Sequence, residues 1–236
     1  MINADVSVNV NEKRCEILEI TSEIWQVGGA GLTSPEDAAV YLMCFDGQAA
    51  IVDAGCGTHG DRLAANIEAC GVASGQLRYL LLTHCHFDHV GGAEDLRSRY
   101  GCQIVIHELD APALEAGDSR LTAANWYGRP MKPLTPDMLI PGTGRQIRLG
   151  NRTVNAIHTP GHTPGSVVYG VESDDLRVLF GQDVHGPLHA DFGSDADAYR
   201  NSLMYMADLG VDVLCEGHYG VVRGADAVRG FIRSFL

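Results

Sequence analysis

The feature that most narrows what this chain can become lies in residues 79–92. A short, wholly apolar run (79–82) ends abruptly in Thr83-His84-Cys85-His86-Phe87-Asp88-His89-Val90-Gly91-Gly92. An apolar run without alternation marks a strand buried on both faces, as in a sheet covered by helices. Three imidazoles and a carboxylate then follow within six positions. In extended backbone, residues two apart point the same way, so His84 and His86 converge on one ion. A turn after them brings Asp88 and His89 to a second ion close by, and Gly91 and Gly92 let the backbone pass near the site and open a helix. Imidazole and carboxylate without thiolate suit zinc, iron or manganese. A lone histidine is more often an ordinary side chain than a ligand; the density of this cluster sets it apart.

Three other segments place a ligand-type residue where Gly or Pro breaks a strand. His162 lies in Thr159-Pro160-Gly161-His162-Thr163-Pro164-Gly165, Asp183 follows Val178-Leu179-Phe180-Gly181-Gln182, and His218 follows Val213-Leu214-Cys215-Glu216-Gly217. Loops of this kind present side chains at a sheet edge.

Around these motifs the periodicity alternates between strand and helix. Strands are expected at 17–20, 24–27, 40–45, 49–52, 79–82, 103–106, 147–149, 153–158, 166–171, 177–180 and 211–214. Asp46-Gly47 serves as a hairpin turn between the third and fourth. Helical spacing covers 63–70, 93–100, 197–209 and 225–235, with Gly71 and Gly101 as stops. Residues 108–144 hold five prolines and read as a surface excursion with at most a few helical turns. Gly28-Gly29-Ala30-Gly31 reads as a mobile connection, because it lacks the Lys-Ser/Thr ending of a phosphate cradle. The pattern predicts sheets covered by helices and a single domain over residues 1–236, with no linker or repeat.

Composition excludes several classes. Thirty acidic against seventeen basic residues give a formal net charge of −13, which argues against a nucleic-acid partner. The seven cysteines show no C-x-x-C spacing, so neither a disulfide framework nor a zinc knuckle is indicated and a reducing compartment fits. Met1-Ile2-Asn3-Ala4-Asp5 lacks the basic and apolar regions of a secretory leader. No apolar run approaches the roughly 20 residues that span a bilayer. The expectation is a cytoplasmic protein, without membrane attachment, acting on a small molecule and able to form a homo-oligomer.

Taken in order, Asp53-Ala54-Gly55 at a strand end, H-x-H-x-D-H, TPGHTPGS, an Asp after a strand and Gly, and a Gly-His near residue 218 resemble the metallo-β-lactamase superfamily. The resemblance runs from Asp53 to His218 and implies an α+β fold, the four-layer αβ/βα sandwich, with two divalent metal ions at one edge of the sheets. Zinc is the expected metal, with iron or manganese as alternatives. Carried over by residue, it implies that His84, His86 and His162 hold the first ion and that Asp88, His89 and His218 hold the second. Asp183 would bridge them, and Asp53 would orient a ligand. Many members have Gly directly before the bridging Asp, whereas Gln182 stands here; being neutral, Gln182 is the poorer bridge. Two such ions lower the pKa of a shared water and polarise a substrate oxygen, and Asp88 is placed to orient the attack. Cys85 is expected to turn away into the core.

The resemblance implies a metal-dependent hydrolase of a small ester, thioester or lactone, with a glyoxalase II-like thioesterase as the leading expectation. A persulfide dioxygenase-like oxidoreductase with one iron on His84, His162 and Asp183 is the alternative. An RNA-processing nuclease and a β-lactamase stand behind it. Glutathione thioesterases of the family usually carry a helical extension, whereas eighteen residues follow His218 here. Substrate contacts are therefore sought in Trp126, Tyr127, Arg129, Lys132, His185, His189 and Tyr219.

Overall fold

The computed structural model describes residues 16–181 and 183–236. The expectations for the first five residues, Cys15 and Gln182 lie outside the described residues. The first sheet has seven strands in sequence order: β1 (Leu18–Thr21), β2 (Ile24–Gly28), β3 (Val40–Phe45), β4 (Gln48–Val52), β5 (Leu77–Leu81), β6 (Gln103–His107) and β7 (Met138–Ile140). Its first four strands are antiparallel and its last four parallel. Asp46 and Gly47 make the β3–β4 hairpin with φ of 49° and 73°, both in the left-handed region that such a tight turn requires. The parallel half needs crossovers. These are α1 (Gly60–Ala69), the single turn α2 (Phe87–Val90) with α3 (Ala93–Tyr100), and α4 (Ala111–Ala116) with a 3₁₀ turn at Ala124–Tyr127.

The second sheet runs β13-β12-β11-β10-β9-β8. Its strands are β8 (Gly144–Leu149), β9 (Arg152–His158), β10 (Val167–Ser173), β11 (Leu176–Phe180), β12 (Val213–Glu216) and β13 (Gly220–Arg223). All neighbours are antiparallel except β11 and β12, whose connection holds α5 (Ala196–Asp208). That helix starts at Asp195, whose side chain accepts the Ala198 N–H. The last helix is α6 (Ala225–Arg233).

Strand alternation sorts the apolar residues into three layers of packing. Tyr41 and Met43 of β3, Leu81 of β5 and Val105 of β6 meet Tyr169, Val178, Phe180 and Val213 between the sheets. Their neighbours Leu42, Leu80, Ile104 and Ile106 point the other way, onto Leu63 and Ile67 of α1 and Leu96 of α3. Likewise Leu179 and Leu214 pack on Leu203 and Met206 of α5 and on Val228 and Ile232 of α6. Helices, sheet, sheet, helices: this is the four-layer sandwich that the resemblance implies, and the unbroken apolar runs fit it because strands between two covered faces need no polar side. Each fully buried Leu or Ile contributes about 1.5–3 kcal/mol relative to exposure.

The structure corrects the reading of residues 108–144. They contribute α4 and the parallel edge strand β7, and Ala113, Leu114, Ala124, Met131 and Leu134 are buried against the first sheet's helical layer. Three-residue strands and a six-residue helix are too short for periodicity to register. The hairpin partner β13 was also missed, because Gly220-Val221-Val222-Arg223 has only two apolar residues. The loop read as a mobile connection is hydrogen-bonded on itself: Thr33 N donates to Gly29 O at 2.9 Å, and Gly29 N donates to Thr33 Oγ1 at 2.9 Å. No helix among the described residues is long and apolar enough to cross a membrane.

Candidate metal centre

Residues 83–85 form a bend after β5 rather than the extended segment expected, His86 is extended, and α2 then turns Asp88 and His89 inward. The bend is held from two sides by buried carboxylates. Asp53, at the end of β4, accepts Thr83 N at 2.8 Å, Thr83 Oγ1 at 2.8 Å and His89 Nδ1 at 2.8 Å. Asp110 accepts Cys85 N at 2.9 Å, Thr163 Oγ1 at 2.7 Å and Gly165 N at 2.7 Å. It thereby ties the 84–89 loop to the loop carrying His162. Cys85 turns into the core on the helical side of the first sheet, as expected. The described cysteines are all free.

The second sheet delivers the other three residues. His162 leaves β9, Asp183 follows β11 and His218 follows β12. One donor atom each from His84, His86, His162 and Asp183 fall within 4.8 Å of one another, and so do those of Asp88, His89 and His218. The two groups meet at Asp183. Its Oδ2 lies 3.4 Å from His162 Nε2, whereas its Oδ1 lies 3.1 Å from His89 Nε2 and 3.3 Å from His218 Nε2. Asp88 Oδ2 is 3.2 Å from His218 Nε2, and His86 Nδ1 is 2.9 Å from His162 Nε2.

Proton positions follow from the outer hydrogen bonds. His162 Nδ1 faces Pro187 O at 3.0 Å, and His89 Nδ1 faces Asp53. Both acceptors lack a proton to give, so each ring carries a hydrogen on Nδ1 and leaves Nε2 to face the centre. His84 Nε2, His89 Nε2 and Asp183 Oδ1 are buried with no hydrogen-bond partner. Buried polar atoms left unpaired cost about 1–3 kcal/mol each, and several converging on one point fit divalent cations. His86 Nε2 is a further unpaired atom of this kind, and the His86 and Phe192 ring centres lie 4.4 Å apart.

Electrostatics divides the two groups. Burial drives the imidazoles of His84, His86 and His162 below their ordinary range, keeping them neutral and able to ligate. Burial opposes the charged form of His89 as well, yet Asp183, Asp88 and Asp53 hold its pKa well above the ordinary value. His218 is likewise pushed up to about 10 against burial, by the Asp183 and Asp88 carboxylates facing its Nε2 at 3.3 and 3.2 Å. Burial also works against the Asp183 carboxylate, but His89 and His218 keep it well below the usual range. Without cations, protons on His89 and His218 balance the carboxylates. Cation binding must therefore expel those protons, and apparent affinity at the second group should rise with pH by roughly tenfold per unit for each proton displaced. For His218 the window runs up to about pH 10. Metal titrations at pH 6, 7 and 8 with proton release followed in weak buffer check this; a pH-independent affinity contradicts it.

The residues sought as substrate contacts separate into three sets. Trp126 stands exposed at the rim with its ring 4.8 Å from Phe192 and 5.5 Å from His189. Tyr127 reaches the centre: its hydroxyl interacts with Asp88, and burial together with that carboxylate raises its pKa. His185 and Tyr219 lie beside His218, with ring separations of 5.1 Å from His185 to each. Arg129 is not brought to the centre. It bonds Thr58 Oγ1 at 2.6 Å and Glu36 at 3.2 Å. Lys132 is exposed. Sequence reasoning missed Asp110 and Glu216. An acid ending the apolar run Val213-Leu214-Cys215-Glu216 was a legible sign of a buried, satisfied carboxylate, while Asp110 looks in sequence like an ordinary helix start before Ala111-Pro112.

Two sheets with helices outside and histidine-aspartate clusters at their common edge define a metallohydrolase-type fold. The family model of the metallo-β-lactamase superfamily matches residues 33–218, and the chain belongs to that superfamily. It is 38% identical over 133 residues to a hydroxyacylglutathione hydrolase of Acidiphilium cryptum, covering 56% of this chain and 44% of that protein. It is 27% identical over 168 residues to the human acyl-coenzyme A thioesterase MBLAC2, covering 62% and 58%. The metallo-β-lactamase GOB-18 of Elizabethkingia meningoseptica superposes with a TM-score of 0.75 at 25% identity, covering 88% and 78%. The matches span about half the length of these two sequence relatives.

Proposed function

We propose that this protein is a metal-dependent hydrolase of small thioesters, with esters and lactones as the wider class, using two zinc ions held by the residues above. The observation that carries the reading is Asp183, whose two oxygens face two different histidine groups. His84, His86 and His162 would hold the first ion, Asp88, His89 and His218 the second, and Asp183 both. When bound, the cations supply a more acidic water and a Lewis acid for the substrate carbonyl. Asp88 faces the same space as His218 and Tyr127, so its carboxylate can accept a hydrogen bond from the attacking water and fix its direction. Asp53 locks the His89 ring. Trp126 and Phe192 form an apolar rim suited to the acyl or thiol portion of a substrate.

Thioester is preferred because two relatives from distant organisms bear thioester-hydrolase names. The Asp88, His89 and His218 group offers donors for a second ion, and metal content separates this reading from the one-iron oxidoreductase. Exhaustive chelation should abolish cleavage of an acyl-thiol panel, read as free thiol released, and added zinc should restore it. Full activity in metal-free protein would sink the proposal. Elemental analysis showing about one iron per chain, with oxygen uptake on a persulfide, would replace it.

A further inference from the structure

His185 belongs to none of the motifs, yet it carries the outer hydrogen bond of a metal-ligating histidine. Its Nδ1 lies 3.0 Å from Oε1 of Glu216, a side chain with no exposure at all. That carboxylate is fixed in turn. It accepts Val184 N at 3.0 Å on the same oxygen, and His218 N and Tyr219 N at 2.7 Å each on Oε2. With three backbone N–H groups converging on it, Glu216 stays an acceptor, so His185 meets it with a proton on Nδ1 and turns Nε2 the other way. The pair Glu216 and His185 repeats the pair Asp53 and His89, in which Nδ1 is 2.8 Å from a buried carboxylate.

The position of the ring adds an independent observation. Donor atoms of Asp183, His185 and His218 fall within 4.8 Å of one another. This group shares Asp183 and His218 with the groups already described but includes neither Asp88 nor His89. It also lies on the solvent side: the His185 and His218 side chains are 20% and 32% exposed, whereas that of His89 is sealed. Tyr219 flanks the His185 ring and leans on Phe231 of α6 at 5.8 Å, which holds the ring in place from outside.

We propose that His185 is a further metal ligand, forming with Asp183 and His218 an outer position for a divalent cation that overlaps the second ion's inner position. Two imidazoles and a carboxylate suit zinc, cobalt or manganese. Because His218 and Asp183 serve both positions, one ion occupies them alternately, and His185 gives the second ion a footing at the mouth of the site. The inference rests on the dinuclear reading above.

The test uses stripped full-length protein titrated with cobalt(II) and, separately, zinc(II) against a competing chromophoric chelator. Bound metal is counted by elemental analysis, and the cobalt visible spectrum reports the ligand set. His185→Ala should leave the tighter ion's constant unchanged, weaken the second ion by about 10–100-fold, and alter the part of the cobalt spectrum that grows with the second equivalent. Tyr219→Leu keeps the imidazole and should retain two ions. Equal second-ion constants and superimposable spectra for wild type and His185→Ala would overturn the inference while leaving the dinuclear reading intact. Wild-type protein that binds no cation would overturn both.

Discussion

Asp183→Asn is expected to lower kcat/KM by about three orders of magnitude with little change in thermal unfolding of the metal-free protein. Among the described residues, Asp183 is the one side chain with an oxygen toward each histidine group: Oδ2 is 3.4 Å from His162 Nε2, and Oδ1 is 3.1 Å from His89 Nε2. An amide keeps one acceptor but loses the charge and turns a donor toward one of the two groups. A bound metal ion is worth several kcal/mol of transition-state stabilisation, and each 1.36 kcal/mol is tenfold in rate, so about 4 kcal/mol corresponds to roughly 10³. The fold should tolerate the change because, without cations, the carboxylate only balances His89 and His218, and an uncharged amide lets those imidazoles lose their protons. Steady-state kinetics with bound metal counted in parallel checks it. Activity within tenfold of wild type at full occupancy would contradict a bridging role.

Asp110→Ala is expected to act on the fold first and on the site through it. The carboxylate accepts Cys85 N, Thr163 Oγ1 and Gly165 N inside a fully buried pocket. Removing it strands the Cys85 and Gly165 N–H groups, each costing about 1–3 kcal/mol when left unpaired, and leaves the Thr163 hydroxyl to Ser166 Oγ at 2.8 Å. A combined loss of about 3–6 kcal/mol lowers Tm by roughly 10–20 °C in a chain of this size. Both loops that lose their tie carry ligands of the first group, so metal retention should fall together with stability. Asp110→Asn keeps a single acceptor for the three donors and should fall between. Thermal melts with and without zinc measure this, and a Tm within about 3 °C of wild type would show that the tie contributes little.

The sequence made much of this legible because its strongest signals are local. The apolar runs 79–82, 103–106 and 177–180 each end in a covered strand, and alternate residues of each do face opposite layers, as Leu80 and Leu81 do. Asp46-Gly47 is the hairpin turn, since few dipeptides accept two left-handed residues in succession. Gly101 ends α3 with φ of 69° for the same reason. Short elements escaped notice. A three-residue strand such as β7 is defined by the neighbour it pairs with, and no period fits into three residues.

Within the site, the candidate ligands were readable because their chemistry is unusual for the ends of buried strands. Their supports were not. Nothing adjacent to Asp110 announces that it binds a loop fifty-odd residues away at Thr163 and Gly165, and Arg129, promising in sequence, is spent on Glu36 and Thr58.

By itself, then, the chain of residues determined which side chains have metal-ligating chemistry, where strands stop, and that the strands are covered on both faces. Tertiary structure alone decided that Asp183 splits its oxygens between two histidine groups, that Asp53, Asp110 and Glu216 are internal ties, and that His185 joins the mouth of the site. The physical reason is range. Backbone conformation and burial are set by residues a few positions apart, whereas coordination geometry is set by atoms within a few ångströms that the fold gathers from loops far apart along the chain.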